Sequence, residues 1–294
     1  MIITPELFYK NYQVNYFDYK QLTLKAALES PEEETMRGQV LGYDKSDYKR
    51  TLKSSIRQVY FHSIETLMEL VFALMPNKEG IIEDDKIYFN LLNSKHAYKK
   101  LEKHVENNFE VLDKKVFVGD KEITLGHYIF YHGFYVIEKK ENIEESLEAI
   151  KIGLTSLAKD FIDRDEYNSY KHGLRVLPTL MKFKLAREDD LSTLKEWDLS
   201  DSMSYYKRTK NTNEIKISTK VFDTKRDIEM TSVCSNLIWN IITLRRYRFC
   251  QQKEEFKILF FGEEEIKKSR KHNINIQDLN FNFVRVNERK TNSE

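Results

Sequence analysis

Two cysteines, Cys234 and Cys250, stand among 294 residues. That excludes a disulfide framework and a four-cysteine zinc site, and it makes a reducing compartment the natural setting. Glycine and proline are also scarce, at 9 and 4. With so few turn-forming residues, long helices are expected rather than a many-stranded barrel or sandwich. No Walker A loop, Gly-x-Gly-x-x-Gly pattern or Gly-x-Ser-x-Gly elbow occurs, so NTP-driven chemistry and serine hydrolysis are not expected. Neither sign of charge dominates. The 48 Lys plus Arg against 47 Asp plus Glu leave +1, which argues against a chain dedicated to coating nucleic acid. Long apolar runs are missing too: LMELVFALM (67–75) is broken by Glu69, and LGHYIFYHGFYVI (125–137) carries His127 and His132. Both fall short of the roughly 20 apolar residues of a membrane span. The start, MIITPELFYKNYQ, lacks the basic segment of an export signal. A cytoplasmic protein without a membrane partner is the expectation.

What is present suffices for a sizeable core. Apolar residues make up 40% and aromatics 13%, and at about 150 residues per domain the length allows one or two domains. Ile56, Val59, Tyr60, Leu67, Leu70, Val71 and Leu74 recur at three- and four-residue steps, which predicts a helix over 46–75 closed by Pro76. Ile143, Leu147, Ile150, Leu154, Leu157 and Phe161 predict a second, with Asn142 as N-cap, running to about His172 before Gly173. Shorter helices are expected at 92–110 and 123–137. Asp227 to Phe249 carries a wide apolar face and predicts a third long helix. Alternating residues at 177–185, 202–208 and 214–222, the last after a KNTN turn, predict strands that include a hairpin. FKILFF (256–261) and 274–286 predict two more, and the residues from Asn287 are expected to fray. The expected fold class is therefore mainly α: a long-helix bundle with a β-hairpin insertion and short C-terminal strands. The expected division is a helical domain over 1–250 with its β insertion at about 177–222, and a β extension over 251–294 packed on it.

Polar residues interrupt two apolar faces. On the first long helix His62, Glu65 and Glu69 share a narrow sector bordered by Phe61, Met68 and Phe72, either a solvated stripe or the wall of a crevice that contacts substrate. On the second, the stripe through Leu157 and Phe161 continues as Arg164 or Asp165, Asn168, His172 and Arg175, with Tyr167, Tyr170 and Gly173 around it. Asn, His and Arg in that setting suit a hydrogen-bonded site; the competing reading is a capping network around a core histidine.

Three segments now point to a family: YFHSIETLMELVFAL (60–74), the long helix running into RDEYNSYKHGLRV (164–176), and DIEMTSVCSNLIWNII (227–242). Together they resemble the HEPN superfamily, all-helical proteins of prokaryotic toxin and antiphage defence systems. The resemblance covers residues 45–250. It implies a homodimer in which an arginine, a polar residue and a histidine on one helix meet their copies across the interface and cleave RNA without metal. Asn168 and His172 match the polar residue and the histidine, while Tyr167 stands where the family has arginine. His172 would take the 2′-hydroxyl proton, and the cation for the phosphate would have to be Arg164, Lys171 or Arg175. Removing one such electrostatic group lowers the rate by about two to three decades. The resemblance thus implies either an RNA-engaging protein with weak metal-independent ribonuclease activity or a non-catalytic dimerisation and interaction module with a protein partner.

Other chemistries fare less well. A ferritin-like metal site needs Glu-x-x-His on two helices, and these helices carry none, so neither metal nor cofactor is expected. His127 and His132 read as packing residues with one hydrogen bond each. Basic clusters at YYKRTK (205–210), LRRYRF (244–249) and KKSRK (267–271) remain. The first two interleave aromatics, so Lys207, Arg208, Arg245 and Arg246 are candidate contacts for RNA phosphates and bases. The competing reading is complementation of helix dipoles.

Overall fold

The structure, a computed structural model, describes residues 4–30, 39–93, 97–132, 134, 139–162, 164–172, 176–178, 182–208, 215–251, 257–273 and 278–283. The fold is mainly α with antiparallel hairpin insertions. Its helices are α1 (Pro5–Asn11), α2 (Tyr16–Glu29), α3 (Lys45–Ala73), α4 (Ile87–Asn93), α5 (Ala97–Glu106), α6 (Leu125–Tyr131), α7 (Lys140–Ile162), α8 (Arg164–His172), α9 (Thr224–Cys250) and α10 (Glu263–Arg270). Short 3-10 turns lie at Asp84–Lys86 and Glu110–Asp113. Among the described residues no helix is long and apolar enough to cross a membrane.

The chain divides into two compact units, each discontinuous in sequence. Unit 1 comprises 1–25, 59–163 and 225–271, and unit 2 comprises 26–58, 164–224 and 272–294. The expected cut at 250 is not where the chain divides. Residues 251–271 cluster with the helices of unit 1, and the last strand clusters with the sheet of unit 2.

Unit 1 is helical around α9. That helix buries Met230, Cys234, Leu237, Ile238, Ile241 and Ile242, and also Asp227, Thr231, Ser235, Asn240 and Arg245. A helix buried nearly all round must satisfy its polar groups from within. Thr231 accepts from Gln21 Nε2 at 2.8 Å, and Tyr60 and Arg226 both donate to Asp160, at 2.6 and 2.5 Å. A small hairpin of β1 (Lys115–Val118) and β2 (Lys121–Thr124), absent from the sequence expectation, precedes α6. Its two-residue turn opens on Gly119 at φ +61°, a left-handed conformation that glycine adopts without a Cβ penalty. Thr124 then caps α6, accepting from the His127 amide.

Unit 2 holds the first half of α3, together with α8 and two sheets. Asp44 caps α3, accepting from the Asp47 amide at 2.9 Å. One sheet has strand order β3-β6-β7-β8, all antiparallel, from β3 (Val176–Pro178), β6 (Ser202–Arg208), β7 (Ile215–Val221) and β8 (Asp278–Phe283). The other is a hairpin of β4 (Lys182–Ala186) and β5 (Thr193–Asp198). The predicted 177–185 strand is thus two strands in different sheets. The KNTN turn, residues 274–277 and the segment from Asn287 lie outside the described residues.

Two further expectations are corrected. The second long helix begins at Lys140, ahead of Asn142, and is two helices, α7 and α8. FKILFF makes no strand in its described part: its backbone bonds to side chains instead of a ladder. Asn240 donates to the Leu259 carbonyl at 2.7 Å and accepts from the Leu259 amide at 3.0 Å. Trp239 donates to the Lys257 carbonyl at 2.9 Å, and the Phe261 amide donates to Ser146 Oγ at 2.7 Å. KKSRK likewise closes α10 as a helix end, where Lys267 pairs with Glu263 and Glu264. Asn240→Leu should lower the unfolding free energy in urea by about 1 to 3 kcal/mol, since the Leu259 amide loses its acceptor while the Leu259 carbonyl keeps the Tyr131 hydroxyl at 3.2 Å. Indifference to the change would show that water takes over the Leu259 backbone.

Candidate functional site

α8 carries the motif that prompted the functional expectation. Its sequence, RDEYNSYKH, alternates between faces. Glu166, Tyr167, Ser169 and Tyr170 are buried, Asn168 is half-buried, and Asp165 and Lys171 are exposed. Glu166, 1% exposed, receives two donors from Arg57 of α3, Nε at 3.0 Å and Nη2 at 3.5 Å, with Lys220 of β7 3.9 Å away. This forked, desolvated pair fixes α8 to α3 within unit 2. Tyr167 is 4% exposed, and the Lys171 ammonium sits 5.9 Å from its ring centre, within cation–π reach.

Asn168 and His172 stand one turn apart on α8. Arg175 lies outside the described residues, and nothing is described of the side chains of Arg164, His172, Lys207 or Arg208. His62 and Glu65 belong to unit 1 rather than to unit 2 with α8. His62 is exposed, with the Phe17 ring edge-on at 5.4 Å, and Glu65 is half-buried.

Arg245 and Arg246 were expected to contact substrate, and both are taken up inside unit 1. Arg245 has no exposed surface. Its guanidinium donates to the carbonyls of Ile129 (2.9 Å), Tyr128 (3.4 Å) and Ile241 (3.2 Å). Ile129 and Tyr128 belong to the last turn of α6, whose carbonyls have no intrahelical partner, so the arginine caps that helix from outside. Arg246 does the same for α1, donating to the carbonyls of Tyr9 and Tyr12. Basic residues near a helix end satisfy carbonyls as readily as phosphates, and here the carbonyls are the nearer acceptors.

The capping arginine leads to a constellation the sequence did not suggest. Asp84, in a 3-10 turn, is buried and accepts from the Tyr128 hydroxyl at 2.7 Å. Around the same carboxylate oxygen stand Arg245 Nε at 3.4 Å, Arg248 Nη1 at 3.7 Å and His132 Nδ1 at 3.7 Å. Tyr9 donates to the Asp84 carbonyl at 3.2 Å. His132 ends α6 in the left-handed region, at φ +48°, a conformation uncommon outside glycine. Its Nε2 lies 3.1 Å from Arg248 Nη1. An arginine is always a donor, so Nε2 is the acceptor and the ring is neutral. Burial, with Arg245 and Arg248 adding to it against Asp84, holds the His132 pKa well below the usual imidazole range. Burial likewise pushes the Tyr128 hydroxyl up to about 12. His127, expected to make one hydrogen bond, has its Nε2 2.7 Å from the Phe134 carbonyl.

Among the described residues no group of three His, Cys, Asp or Glu side chains is placed to hold a metal ion. Comparison with protein families, with curated proteins and with solved structures finds no match for this chain.

Two outcomes follow. Arg245→Met should destabilise the protein by about 3 to 5 kcal/mol in chemical denaturation, because Asp84 is left as a buried charge without its ion-pair partner. The double change with Asp84→Leu should lose markedly less than the sum of the single losses. The second outcome concerns pH. His132 titrates near 6.5 when unfolded and lower when folded, so the unfolded chain binds the extra proton first. Stability is therefore fully present above about pH 6.5 and falls as pH drops below it. His132→Gln should flatten that decline in a series of thermal melts, and an unchanged slope would assign the decline to other groups.

Proposed function

We propose that the chain is an RNA-engaging module that binds without cleaving, through α8, where Lys171 is exposed and Asn168 half-buried, with His172 as a further contact. The observation that carries this reading is the burial of Tyr167, at 4% exposure, beside an exposed Lys171. Where the HEPN resemblance expects the phosphate-neutralising arginine, α8 turns a tyrosine inward. Cleavage to a cyclic phosphate needs a fixed cation beside the base, and Lys171 is instead a flexible point charge on an exposed position, suited to phosphate contact. On this reading the chain is a dimeric, RNA-contacting component of a toxin or antiphage defence system, the setting that the resemblance implies. Arg245 and Arg246, committed to carbonyls, take no part.

The test is binding of a fluorescent single-stranded oligoribonucleotide at low salt, where phosphate contacts are strongest, followed by gel analysis for cleavage. Saturable binding without cleavage is expected. Lys171→Glu should weaken it by about tenfold, since a charge-assisted contact is replaced by repulsion. His172→Ala should weaken it by less at an unchanged melting temperature. Binding that is absent, or indifferent to both changes, overturns the α8 interface, and cleavage lost in His172→Ala would restore the ribonuclease reading. Tyr167→Arg, the change that would recreate the family's pair, places a charge at a buried position and should lower the melting temperature.

A further inference from the structure

Unit 1 holds a cluster of buried and half-exposed charge around Asp84, and what is inferred from it does not rest on the α8 reading. One carboxylate there faces two arginines. Asp84 and Arg245 are both buried, and a guanidinium without solvent contact depends on that charge. Arg248 is different. Its side chain is 51% exposed and stands 3.7 Å from Asp84, beyond hydrogen-bond distance. Its protein acceptor among the described residues is His132 Nε2 at 3.1 Å, and the Phe249 ring lies 5.1 Å from the guanidinium carbon. A neutral imidazole orients a cation without cancelling its charge. The cluster of Asp84, Arg245 and Arg248 therefore carries one positive charge in excess, located on a guanidinium braced on one side by an imidazole and on another by an aromatic ring.

Nη1 of Arg248 is the nitrogen that faces both His132 and Asp84, and among the described residues no further hydrogen-bond acceptor of this guanidinium is found. A guanidinium has five N–H donors, and His132 takes one. Of the other ionisable residues of the Asp84 turn, Glu83 and Lys86 pair with each other at 2.5 Å, and Asp85 is exposed. His132 is held in place by its own backbone: the left-handed residue that ends α6 sets its ring between Asp84 and Arg248. Holding a non-glycine residue there is a strain the surrounding structure has to sustain. Among the described residues, the brace leaves four N–H donors of Arg248 with no hydrogen-bond acceptor.

We propose that Arg248, oriented by His132 and Phe249, binds a phosphate group. The fork matches two phosphate oxygens in a bidentate pair, and a phosphate monoester near neutral pH carries up to two charges, so it gains more from the excess cation than a carboxylate does. His132 is a positioning residue: its neutral ring and low basicity suit an acceptor that holds Arg248, not a group that exchanges protons with the ligand. The phosphate can be free or borne by a nucleotide or a nucleic acid strand, since the fork reads only the oxygens.

The experiment is calorimetric titration of the full chain at low ionic strength with inorganic phosphate, with adenosine monophosphate and with a short single-stranded oligoribonucleotide, using acetate as the carboxylate control. It is paired with nitrogen-15 spectra of the arginine side chains. Wild type should bind at least one of the three phosphate ligands saturably, with acetate weaker, and the Arg248 guanidinium signal should shift on titration. Arg248→Gln should weaken binding by about tenfold or more, the loss of a charge-assisted pair, and Arg248→Lys by less because the charge stays while the fork goes. His132→Leu should weaken it by a smaller factor and broaden the Arg248 signal, which a merely structural histidine would not do. The three ligands separate the sources: tighter binding of the monophosphate than of free phosphate indicates a nucleotide, and preference for the oligomer indicates a strand. Equal affinity in Arg248→Gln, an unmoved Arg248 signal, or acetate binding as tightly as phosphate overturns the proposal. If Arg248→Gln lowers the melting temperature, the wild-type spectra decide. Loss of oligomer binding in Lys171→Glu with phosphate binding intact would separate the α8 interface from this site.

Discussion

An arginine with no solvent contact has to find every partner inside the fold, and much of unit 1 is arranged around meeting that demand for Arg245. Its charge is balanced by Asp84, itself buried and steadied by the Tyr128 hydroxyl. Its remaining donors close the open end of α6. Removing ions from water is expensive, and their attraction repays it only when the surrounding geometry is nearly complete. One residue of α9 therefore fixes the end of α6 and the turn at Asp84–Lys86 together. Arg246 extends the same logic to α1. What looks in the sequence like a basic patch for a ligand is, for two of its three arginines, the means by which α9 holds its neighbours.

Unit 2 solves a similar problem with the opposite sign. There the buried charge is the Glu166 carboxylate, and Arg57 answers it with a two-donor fork. The consequence for function is directional. With Glu166, Tyr167 and Tyr170 turned inward, α8 presents Asp165, Lys171 and part of Asn168 outward. Among the described side chains of α8, the outward positive charge is that of Lys171, a flexible point charge.

Much of the fold was legible because helices write their burial into three- and four-residue steps. α3 and α9 follow from the spacing of Ile56, Tyr60, Leu67 and Val71 and of Leu237, Ile238, Ile241 and Ile242, and the β6–β7 hairpin follows from alternation. FKILFF was misread for a physical reason: an apolar, β-prone run says that a segment is extended and buried, not what its backbone bonds to. Asn240, Trp239 and Ser146 supply those bonds from helices, and no local pattern announces them. The split between α7 and α8 was hidden because the same apolar stripe runs through both. Of the candidate site, the faces of α8 were not readable from periodicity: the apolar stripe of α7 extrapolates to Asp165 and Asn168, whereas Asp165 is exposed and Glu166, Tyr167, Ser169 and Tyr170 are the buried residues. The Asp84 cluster was not, since Tyr128 lies 44 positions from Asp84 and Arg245 lies 116 positions from the carbonyl it caps. Arg248 and His132 were passed over for the same reason: one read as part of a basic run, the other as aromatic packing.

The discontinuous division of the chain bears on how it can be made. Five times along the sequence, at 25/26, 58/59, 163/164, 224/225 and 271/272, the backbone leaves one unit for the other. Unit 1 lacks its central helix until residues 224–250 have been synthesised, and the four-stranded sheet of unit 2 lacks its edge until 278–283 follow. On the ribosome, α7 therefore emerges long before α9, whose Arg226 pairs with Asp160. Synthesis at roughly 5–20 residues per second leaves Asp160 without that partner for several seconds or more. A nascent chain of this design is a natural client for chaperones, and one shortened near its end forfeits both units rather than one.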